Sequence, residues 1–271
     1  MIKTIVTGAA GRMGGRILSL AAADTGIKIV AALEQKEHPL LGKDVGEHLG
    51  LGRIDVVIED NLASCIEQGD VIIDFTYHEA SMRHLETAVD KGCAIVIGST
   101  GFTPPEMERI SDIAGRTRCV MAPNMSVGVN VMLKVLEDVA GILGDEYDVE
   151  IVEAHHHLKK DAPSGTAVKM AQVIANKLKR NLEEVGVYVR KGMVGERTKQ
   201  EIGIQTLRAG DIVGEHTVLF GGIGERLEFI HRANSRDNFA KGAIRAAKWI
   251  VGQPNGLYDM QDVLGLKERK P

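Results

Sequence analysis

A short apolar strand runs through a cluster of glycines into a helix near the amino end of the chain. The strand covers Ile2 to Val6, and Ile17, Leu18 and Leu20 give the following segment the apolar spacing of a helix. The turn between them reads GAAGRMG at residues 8–14, so alanine replaces the middle glycine of a Gly-x-Gly-x-x-Gly turn. A strand, a tight glycine turn and a helix in this order open a dinucleotide-binding unit, which requires a parallel sheet.

An acidic residue stands where such a unit uses one. Residues 28–34 read KIVAALE, a second apolar strand that ends in Glu34, 20 positions after Gly14. A carboxylate here accepts hydrogen bonds from the adenosine ribose and repels a 2′-phosphate, which favours NADH over NADPH. Lys36 and Arg12 would offset that repulsion, so both cofactors stay open. The alternative interpretation of Glu34 is a solvated strand end.

Strand-like and helix-like segments alternate through the first half of the chain. The strand-like runs lie at 53–60, 70–76, 93–100 and 118–124, and the helix-like ones at 61–68, 79–91 and 104–115. This alternation predicts an α/β fold with a Rossmann-like, doubly wound parallel sheet that binds ligands at the carboxyl ends of its strands. Two turns stand at such ends, at residues 98–101 and 122–125. They either contact the nicotinamide and its ribose or are ordinary turns.

From about Ser126 the pattern changes. Three strand-like runs, at 201–209, 214–221 and 225–233, follow one another without intervening helices. They predict a second α+β domain with a mixed or antiparallel sheet, whose open face a helix or another subunit must cover. We therefore expect a dinucleotide-binding domain at 1–127, completed by residues 238–271, and a substrate-binding and oligomerisation domain at 128–237.

Composition narrows the partners and the compartment. With 33 basic and 37 acidic residues among 271, the net charge of −4 gives no global reason to expect nucleic acid or a membrane surface as a partner. Cys65, Cys93 and Cys119 are widely spaced in apolar runs, which is typical of buried thiols in a reducing compartment. No apolar run is long enough to span a bilayer. We expect a cytoplasmic protein.

Residues 153–167 read EAHHHLKKDAPSGTA and concentrate the chemistry of the second domain. A strand ends in three histidines, residues 161–163 read as a turn, and Ser164 has the chemistry of a helix N-cap. Backbone N–H groups at a helix start are unpaired and lie at the positive end of the helix dipole. The stretch therefore offers imidazole, ammonium and backbone donors to one small anionic ligand.

Two other interpretations of this stretch stay open. Three histidines suggest a metal site, but adjacent strand residues cannot all face one ion, and no Cys or carboxylate recurs at ligand spacing. A solvated strand end is the second alternative, with His157 and Lys160 as its best candidates. His155 and His157 share one face unless the chain bends where the strand ends.

The segments described so far resemble, nearly end to end, the 4-hydroxy-tetrahydrodipicolinate reductase family, also called dihydrodipicolinate reductase, of the diaminopimelate route to lysine. The resemblance rests on GAAGRMG (8–14), DFT (74–76), GSTG (98–101), APNMSVGVN (122–130) and EAHHHLKKDAPSGTA (153–167), with GEHTVLF and GERLEFIHRANSRDNFAKGA in support. The histidine segment is specific to the family, whereas the glycine turn is not. This chain departs from the family pattern at His157-Leu158 and at Gln35, where some members carry an arginine that meets the 2′-phosphate.

The resemblance implies roles for individual residues. His155 would be the acid/base residue and Lys159 the proton donor, while His156, Gly165 and Thr166 would bind a small dicarboxylate substrate. The residues expected to bind the cofactor, NADH or NADPH, are Gly8, Ala9, Ala10, Gly11, Arg12, Met13, Glu34, Gly98, Ser99, Thr100, Ala122, Pro123, Asn124 and Met125. It also implies a homotetramer.

Two other classes of protein remain. A Rossmann oxidoreductase acting on a sugar or an amino-acid semialdehyde would share the glycine turn but needs a differently placed Cys or Lys. A non-catalytic nucleotide-binding sensor would keep residues 8–34 but has no use for His155 and Lys159 at fixed spacing.

Overall fold

The computed structural model describes residues 1–267 and divides into two compact units. One unit contains Met1–Val127 and the described residues from Arg236 onwards, and the other contains Gly128–Ser235. Residues 268–271, the end of the predicted closing segment, lie outside the described residues.

In chain order, the strands in residues 1–267 are β1 (Ile2–Thr7), β2 (Ile27–Leu33), β3 (Ile58–Glu59), β4 (Val71–Asp74), β5 (Ala94–Ile97), β6 (Arg118–Met121), β7 (Asp148–His155), β8 (Gly186–Val187), β9 (Ile202–Arg208), β10 (Gly214–Gly221), β11 (Arg226–Ala233) and β12 (Gly256–Tyr258). The helices over the same residues are α1 (Arg12–Ala22), α2 (Val45–His48), α3 (Leu62–Cys65), α4 (His78–Lys91), α5 (Pro104–Ala114), α6 (Val127–Leu143), α7 (Gly165–Lys177), α8 (Leu182–Val185), α9 (Asp237–Ile250) and α10 (Met260–Leu264). Short 3₁₀ turns lie at Ile66–Gln68 and Gly144–Glu146.

The first unit is built on a seven-stranded parallel sheet with the order β12-β6-β5-β4-β1-β2-β3. The chain moves outwards from β1 to β3 and then returns to place β4 on the other side of β1. This reversal opens a crevice at the carboxyl ends of β1 and β4, which is where doubly wound sheets bind ligands. The predicted Rossmann-like sheet is confirmed.

Both faces of this sheet are buried, which explains its continuous apolar strands. Successive residues alternate between two cores, so that Ile5 lies in one and Val6 in the other, and Ile95 and Val96 divide in the same way. Helices α1, α9 and α10 cover the face that holds Val6, and α3, α4 and α5 cover the opposite face. The three cysteines are free and buried, as predicted.

The second unit contains a five-stranded mixed sheet with the order β11-β10-β7-β9-β8. Strand β10 is antiparallel to β7 and β11, whereas β7, β9 and β8 run parallel. Apolar residues of α6 and α7 pack on one face with Ile151, Ile204 and Phe220. The opposite face leaves Val152 and Ile230 exposed. The predicted mixed sheet is confirmed.

One predicted strand is much shorter than the sequence pattern suggested. Residues 53–60 contribute only Ile58–Glu59 to the sheet. The buried carboxylate of Asp44 accepts hydrogen bonds from the N–H groups of Ile54 and Val56 at 3.2 and 3.1 Å, so these donors are directed to a side chain instead of a neighbouring strand. Asp44 also caps α2, which organises the whole connection from β2 to β3.

Candidate active site

The glycine turn after β1 has the geometry that the dinucleotide motif requires. Gly8 has a φ of +68°, which only glycine adopts without strain. A Cβ on Gly14 would overlap the carbonyl oxygen of Gly8, so α1 packs directly on the turn. Helix α1 begins at Arg12 after Gly11, whose lack of a side chain leaves the first turn without a side-chain cap. The uncapped N–H groups in the first turn of α1 and the missing Cβ atoms of Gly8, Gly11 and Gly14 fit the pyrophosphate of a nicotinamide dinucleotide.

Glu34 lies at the end of β2 and is fixed against this turn. Its Oε2 accepts a hydrogen bond from the N–H of Ala10 at 2.9 Å, and its Oε1 accepts one from Gln35 at 2.9 Å. Two backbone donors thus orient the carboxylate. Arg12 and Lys36, the two cations expected to offset its repulsion of a 2′-phosphate, are exposed. Ala9 is buried, and Met13 packs against the core below the turn.

The two other predicted cofactor turns lie at the carboxyl ends of β5 and β6, on the same edge of the sheet. A Cβ on Gly98 would overlap the ring of Phe75, which brings the turns after β4 and β5 together. Thr100 and Pro123 are exposed, whereas Ser99, Ala122 and Met125 are buried. Within the turn after β6, Asn124 Oδ1 accepts a hydrogen bond from the N–H of Ser126 at 2.9 Å.

Asp74, at the end of β4, organises this edge and received no role in the sequence analysis beyond the family segment. Its Oδ1 accepts hydrogen bonds from Thr76 Oγ1 at 2.6 Å and Ser81 Oγ at 3.2 Å, and Ser99 Oγ lies 3.4 Å away. His84 Nδ1 lies 2.6 Å from Oδ2. Burial raises the pKa of Asp74, but the hydrogen bonds from His84 and Thr76 outweigh it, and the net pKa is lowered.

In the second unit, the strand that carries the histidines ends at His155, and the chain then bends. The N–H of His156 donates to the carbonyl of Ile212 at 2.7 Å, and the N–H of His157 donates to the carbonyl of Gly210 at 3.2 Å. The alternation of the strand therefore stops before His157. His157 is exposed and its Nδ1 donates to the carbonyl of Gly210, so it lies on the wet side of this bend.

Ser164 caps α7, as the sequence predicted. Its side chain accepts a hydrogen bond from the N–H of Ala167 at 3.2 Å. Gly165 is exposed and Thr166 half-buried in the first turn of the helix. Nearby in sequence, Lys159 Nζ donates to both carboxylate oxygens of Asp161 at 2.9 and 2.8 Å. The Lys159 side chain is only 20% exposed, so its ammonium group is held close to the protein surface.

The centre of this region is Glu153, a fully buried carboxylate on β7. His155 Nδ1 lies 2.5 Å from its Oε2, and Arg208 from β9 donates to both oxygens at 2.9 Å. Burial raises the pKa of Glu153, but hydrogen bonds from Arg208, His155 and Ser164 outweigh it and lower the pKa to about 2. Burial lowers the pKa of His155, although Glu153 opposes this effect. The imidazole is therefore neutral beside an ionised carboxylate.

Two further histidines continue the polar row across the sheet. His216 on β10 is 4% exposed, its ring centroid lies 5.3 Å from that of His155, and its Nε2 lies 3.0 Å from Ser164 Oγ. His231 pairs with His216 in the β-ladder. Burial lowers the pKa of His216 to about 4 and also lowers that of His231. Arg208 and His216 were missed in the sequence, although His216 interrupts an apolar face that includes Val218.

Each unit therefore has its own chemistry: a glycine turn shaped for a dinucleotide at the edge of a parallel sheet, and a buried carboxylate, imidazole and ammonium cluster beside a helix start. These features define the class of two-domain nicotinamide-dependent oxidoreductases. Comparison with known proteins narrows the class. Residues 2–125 match the family model described as "Dihydrodipicolinate reductase, N-terminus", and residues 128–264 match "Dihydrodipicolinate reductase, C-terminus". The chain belongs to the dihydrodipicolinate reductase family, whose members use NADH or NADPH.

Individual relatives agree with this assignment. The chain is 65% identical over 267 residues to a 4-hydroxy-tetrahydrodipicolinate reductase of Syntrophus aciditrophicus, covering 98% of this chain and 100% of the relative. The corresponding protein of Syntrophobacter fumaroxidans is 55% identical over the same coverage. A dipicolinate-bound dihydrodipicolinate reductase from Paenisporosarcina superposes with a TM-score of 0.75 at 26% identity, covering 97% of this chain and 98% of the other.

Proposed function

We propose that the chain catalyses the NAD(P)H-dependent reduction of 4-hydroxy-2,3,4,5-tetrahydrodipicolinate to tetrahydrodipicolinate, with net loss of water, in lysine biosynthesis through diaminopimelate. The observation that carries this proposal is the cluster in the second unit, in which a neutral imidazole, an ammonium group and a capped helix start occur within residues 153–167. Family membership over both units supports the same reaction.

Lys159 and His155 perform the proton chemistry in this proposal. The bound nicotinamide supplies a hydride to a ring carbon of the substrate. The 4-hydroxyl group of the substrate and a proton from the adjacent ring carbon leave as water, which gives a conjugated cyclic imine. Hydride addition to that imine builds negative charge at the ring nitrogen, so a positioned acid must deliver a proton there. Lys159 donates that proton after its ammonium group leaves Asp161, which is 63% exposed and so competes weakly for it. His155 acts as the acid/base residue through Nε2, the ring nitrogen that does not face Glu153.

The substrate carries two carboxylates, and the second unit offers donors for both. The helix start at Gly165 and Thr166 binds one, because the dipole of a helix start favours an anion. His156 binds the other. Its Nδ1 is buried and has no hydrogen-bond partner within the described residues, which is costly unless a ligand supplies one. The dipicolinate in the Paenisporosarcina structure is also a dicarboxylate on a six-membered nitrogen ring.

In the first unit, the cofactor contacts are the glycine turn of residues 8–13, Glu34, and the turns at 98–100 and 122–125. All of them lie at the carboxyl edge of one parallel sheet. The residues 1–127, completed by 238–271, form the dinucleotide-binding domain in this proposal, and residues 128–237 form the domain that binds substrate and assembles the oligomer.

A coupled assay tests the reaction. Dihydrodipicolinate synthase generates the substrate in place, and the nicotinamide absorbance is followed with NADH and with NADPH in turn. Oxidation that depends on the synthase is the expected result with at least one of the two. If neither cofactor is oxidised, the proposed function is wrong.

We further propose a cytoplasmic homotetramer that assembles through the open face of the second sheet. Leu207, Ile230 and Val152 on this face are 54%, 46% and 37% exposed, whereas the opposite face is covered by α6 and α7. Val152 and Ile230 both pair with Thr217, so they lie in one row across three strands. A twisted sheet with such a half-apolar face gains stability when another subunit covers it. In residues 1–267, no helix is long and apolar enough to cross a membrane.

Light scattering on the full chain tests this assembly, with a tetramer as the expected mass. Ile230→Lys should shift the population to smaller species, because it buries a charge in the interface. Glu183→Lys, a change on the exposed part of α8, is the control and should leave the mass unchanged. A wild-type monomer at assay concentration would contradict the proposal.

A further inference from the structure

The buried carboxylate of Glu153 makes five close polar contacts and connects three different segments of the second unit. Its Oε1 accepts hydrogen bonds from the N–H of Ser164 at 3.0 Å, from Thr206 Oγ1 at 3.1 Å and from Arg208 Nη2 at 2.9 Å. Its Oε2 faces His155 Nδ1 and Arg208 Nη1. Arg208 in turn donates to the carbonyl of Asp161 at 2.7 Å, so the same ion pair also holds the turn before α7.

The charge of Glu153 decides which nitrogen of His155 carries the proton. An ionised carboxylate only accepts hydrogen bonds, so His155 Nδ1 must be the protonated ring nitrogen. A neutral imidazole then has its lone pair on Nε2. Gly214 on the neighbouring strand β10 leaves room beside this atom, because a Cβ there would lie 3.0 Å from Nε2.

We propose that Glu153, held by Arg208, is a positioning residue for this reaction: it fixes His155 as the Nδ1–H tautomer with Nε2 directed to the reacting ring, and through Ser164 it fixes the start of α7 where a substrate carboxylate binds. The catalytic part of this inference rests on the proposed function. The tautomer part does not, because it concerns the protein without ligands.

The strand pairing of the second sheet explains why Glu153 can hold both His155 and the start of α7. Glu153 pairs with His216 on β10 and with Thr206 on β9, so it lies in the middle of a row that His231 and Thr206 bound on either side. Helix α7 begins above this row, where Ser164 contacts both Glu153 and His216. One carboxylate in the middle of the sheet therefore orients the strand end and the helix start together.

Glu153→Gln separates positioning from folding. The amide oxygen retains the contacts that Oε1 makes to Ser164, Thr206 and Arg208 Nη2. The amide nitrogen replaces Oε2, so the contact from Arg208 Nη1 is lost. That nitrogen donates to His155 Nδ1 and forces the ring proton to Nε2. We expect kcat to fall by about 10²- to 10⁴-fold, as for a general acid or base in the wrong tautomer. KM and the NADH Kd should change by less than about threefold, because the contact to Ser164 is kept.

Thr206→Val is the matched control, because it removes a hydrogen bond to the same carboxylate without affecting the oxygen that faces His155. Its kcat should remain within about threefold of wild type. An equal loss of kcat in both variants, or a normal kcat in Glu153→Gln, would overturn the inference.

The nitrogen chemical shifts of His155 give a readout that a structural role alone would not change. In the ligand-free wild type at neutral pH they should report the Nδ1–H tautomer, and in Glu153→Gln the Nε2–H tautomer. An Nε2–H tautomer or an imidazolium in the wild type would overturn the inference even if the variant does not fold. A wild type that shows the expected tautomer but reduces no substrate would refute the proposed function and leave the tautomer assignment standing.

Discussion

Acidification should destabilise the second unit through His216, and His216→Gln should remove the part of this sensitivity that the His216 ring contributes. The ring is 4% exposed, and its Nδ1 has no hydrogen-bond partner within residues 1–267. Burial lowers the pKa from 6.5 to about 4. Unfolding moves the ring into water, where it takes up a proton at any pH below 6.5, so protonation favours the unfolded state.

The magnitude follows from the two pKa values. Stability from this group is complete above pH 6.5 and is lost as the pH falls towards 4, because the unfolded chain binds the proton first. The loss is about 1.4 kcal/mol at pH 5.5 and about 2.5 kcal/mol at pH 4.5. Glu153 contributes little in this range, because its folded pKa of about 2 preserves its charge until lower pH.

Urea unfolding followed by far-ultraviolet circular dichroism at about pH 7.5, 5.5 and 4.5 measures the effect. Glutamine has a similar volume and can still hydrogen-bond to Ser164, but it does not titrate. His157→Gln is the control, because His157 is exposed and should leave the pH dependence of wild type unchanged. If His216→Gln loses as much stability as wild type between pH 7.5 and 4.5, the ring is not a buried neutral group and the reasoning is wrong.

Three further substitutions test the individual sites. Lys159→Ala should lower kcat by at least about 10²-fold with little change in cofactor affinity. Lys160→Ala is the control: Lys160 is exposed, and its replacement should not lower kcat in this way. Near-normal turnover of Lys159→Ala would contradict the proton-donor role. Glu34→Gln should raise the ratio of kcat/KM for NADPH to that for NADH by about tenfold, because it removes a fixed negative charge; an unchanged ratio would show that this carboxylate does not face the 2′-phosphate position. Gly14→Ala should weaken NADH binding in calorimetry and lower Tm, because its Cβ overlaps the Gly8 carbonyl. Gly15→Ala should have a smaller effect, because the atom nearest to its Cβ belongs to a flexible side chain and lies 3.2 Å away. Equal effects of the two substitutions would refute this explanation of the motif.

Much of the first unit was predictable because its strands are buried on both faces. Strand β5 is an uninterrupted apolar run, and β4 is one up to its last residue, Asp74. A strand of this kind needs no partner information to be recognised. Strand β12 is only three residues long and has no pattern of its own, so its place beside β6 was not predictable. The shortened β3 depends on the carboxylate of Asp44, a contact that sequence periodicity does not contain.

The candidate site also contains residues that were predictable from the sequence and residues that were not. Ser164 was predicted as a helix cap and is one, because capping depends on residues close in sequence. Arg208 and His216 reach Glu153 and Ser164 from β9 and β10, over sequence separations of 55 and 52 residues. Only the register of a folded sheet brings such residues together. A polar residue on an otherwise apolar strand face, as at His216, was the available signal.

Helix α9 also determines when the first unit can finish folding during synthesis. It packs against α1, where Asp237 forms an ion pair with Arg16, and Lys248 forms an ion pair with Asp24, just after α1. Its alanines fill the core beneath the first sheet. The ribosome delivers this helix only after all of Gly128–Ser235 has emerged. The inserted unit is continuous in sequence, whereas the dinucleotide unit must wait for α9 with an apolar surface exposed. A nascent chain stalled before residue 236 would therefore be a substrate for chaperones and proteases on its amino-terminal half.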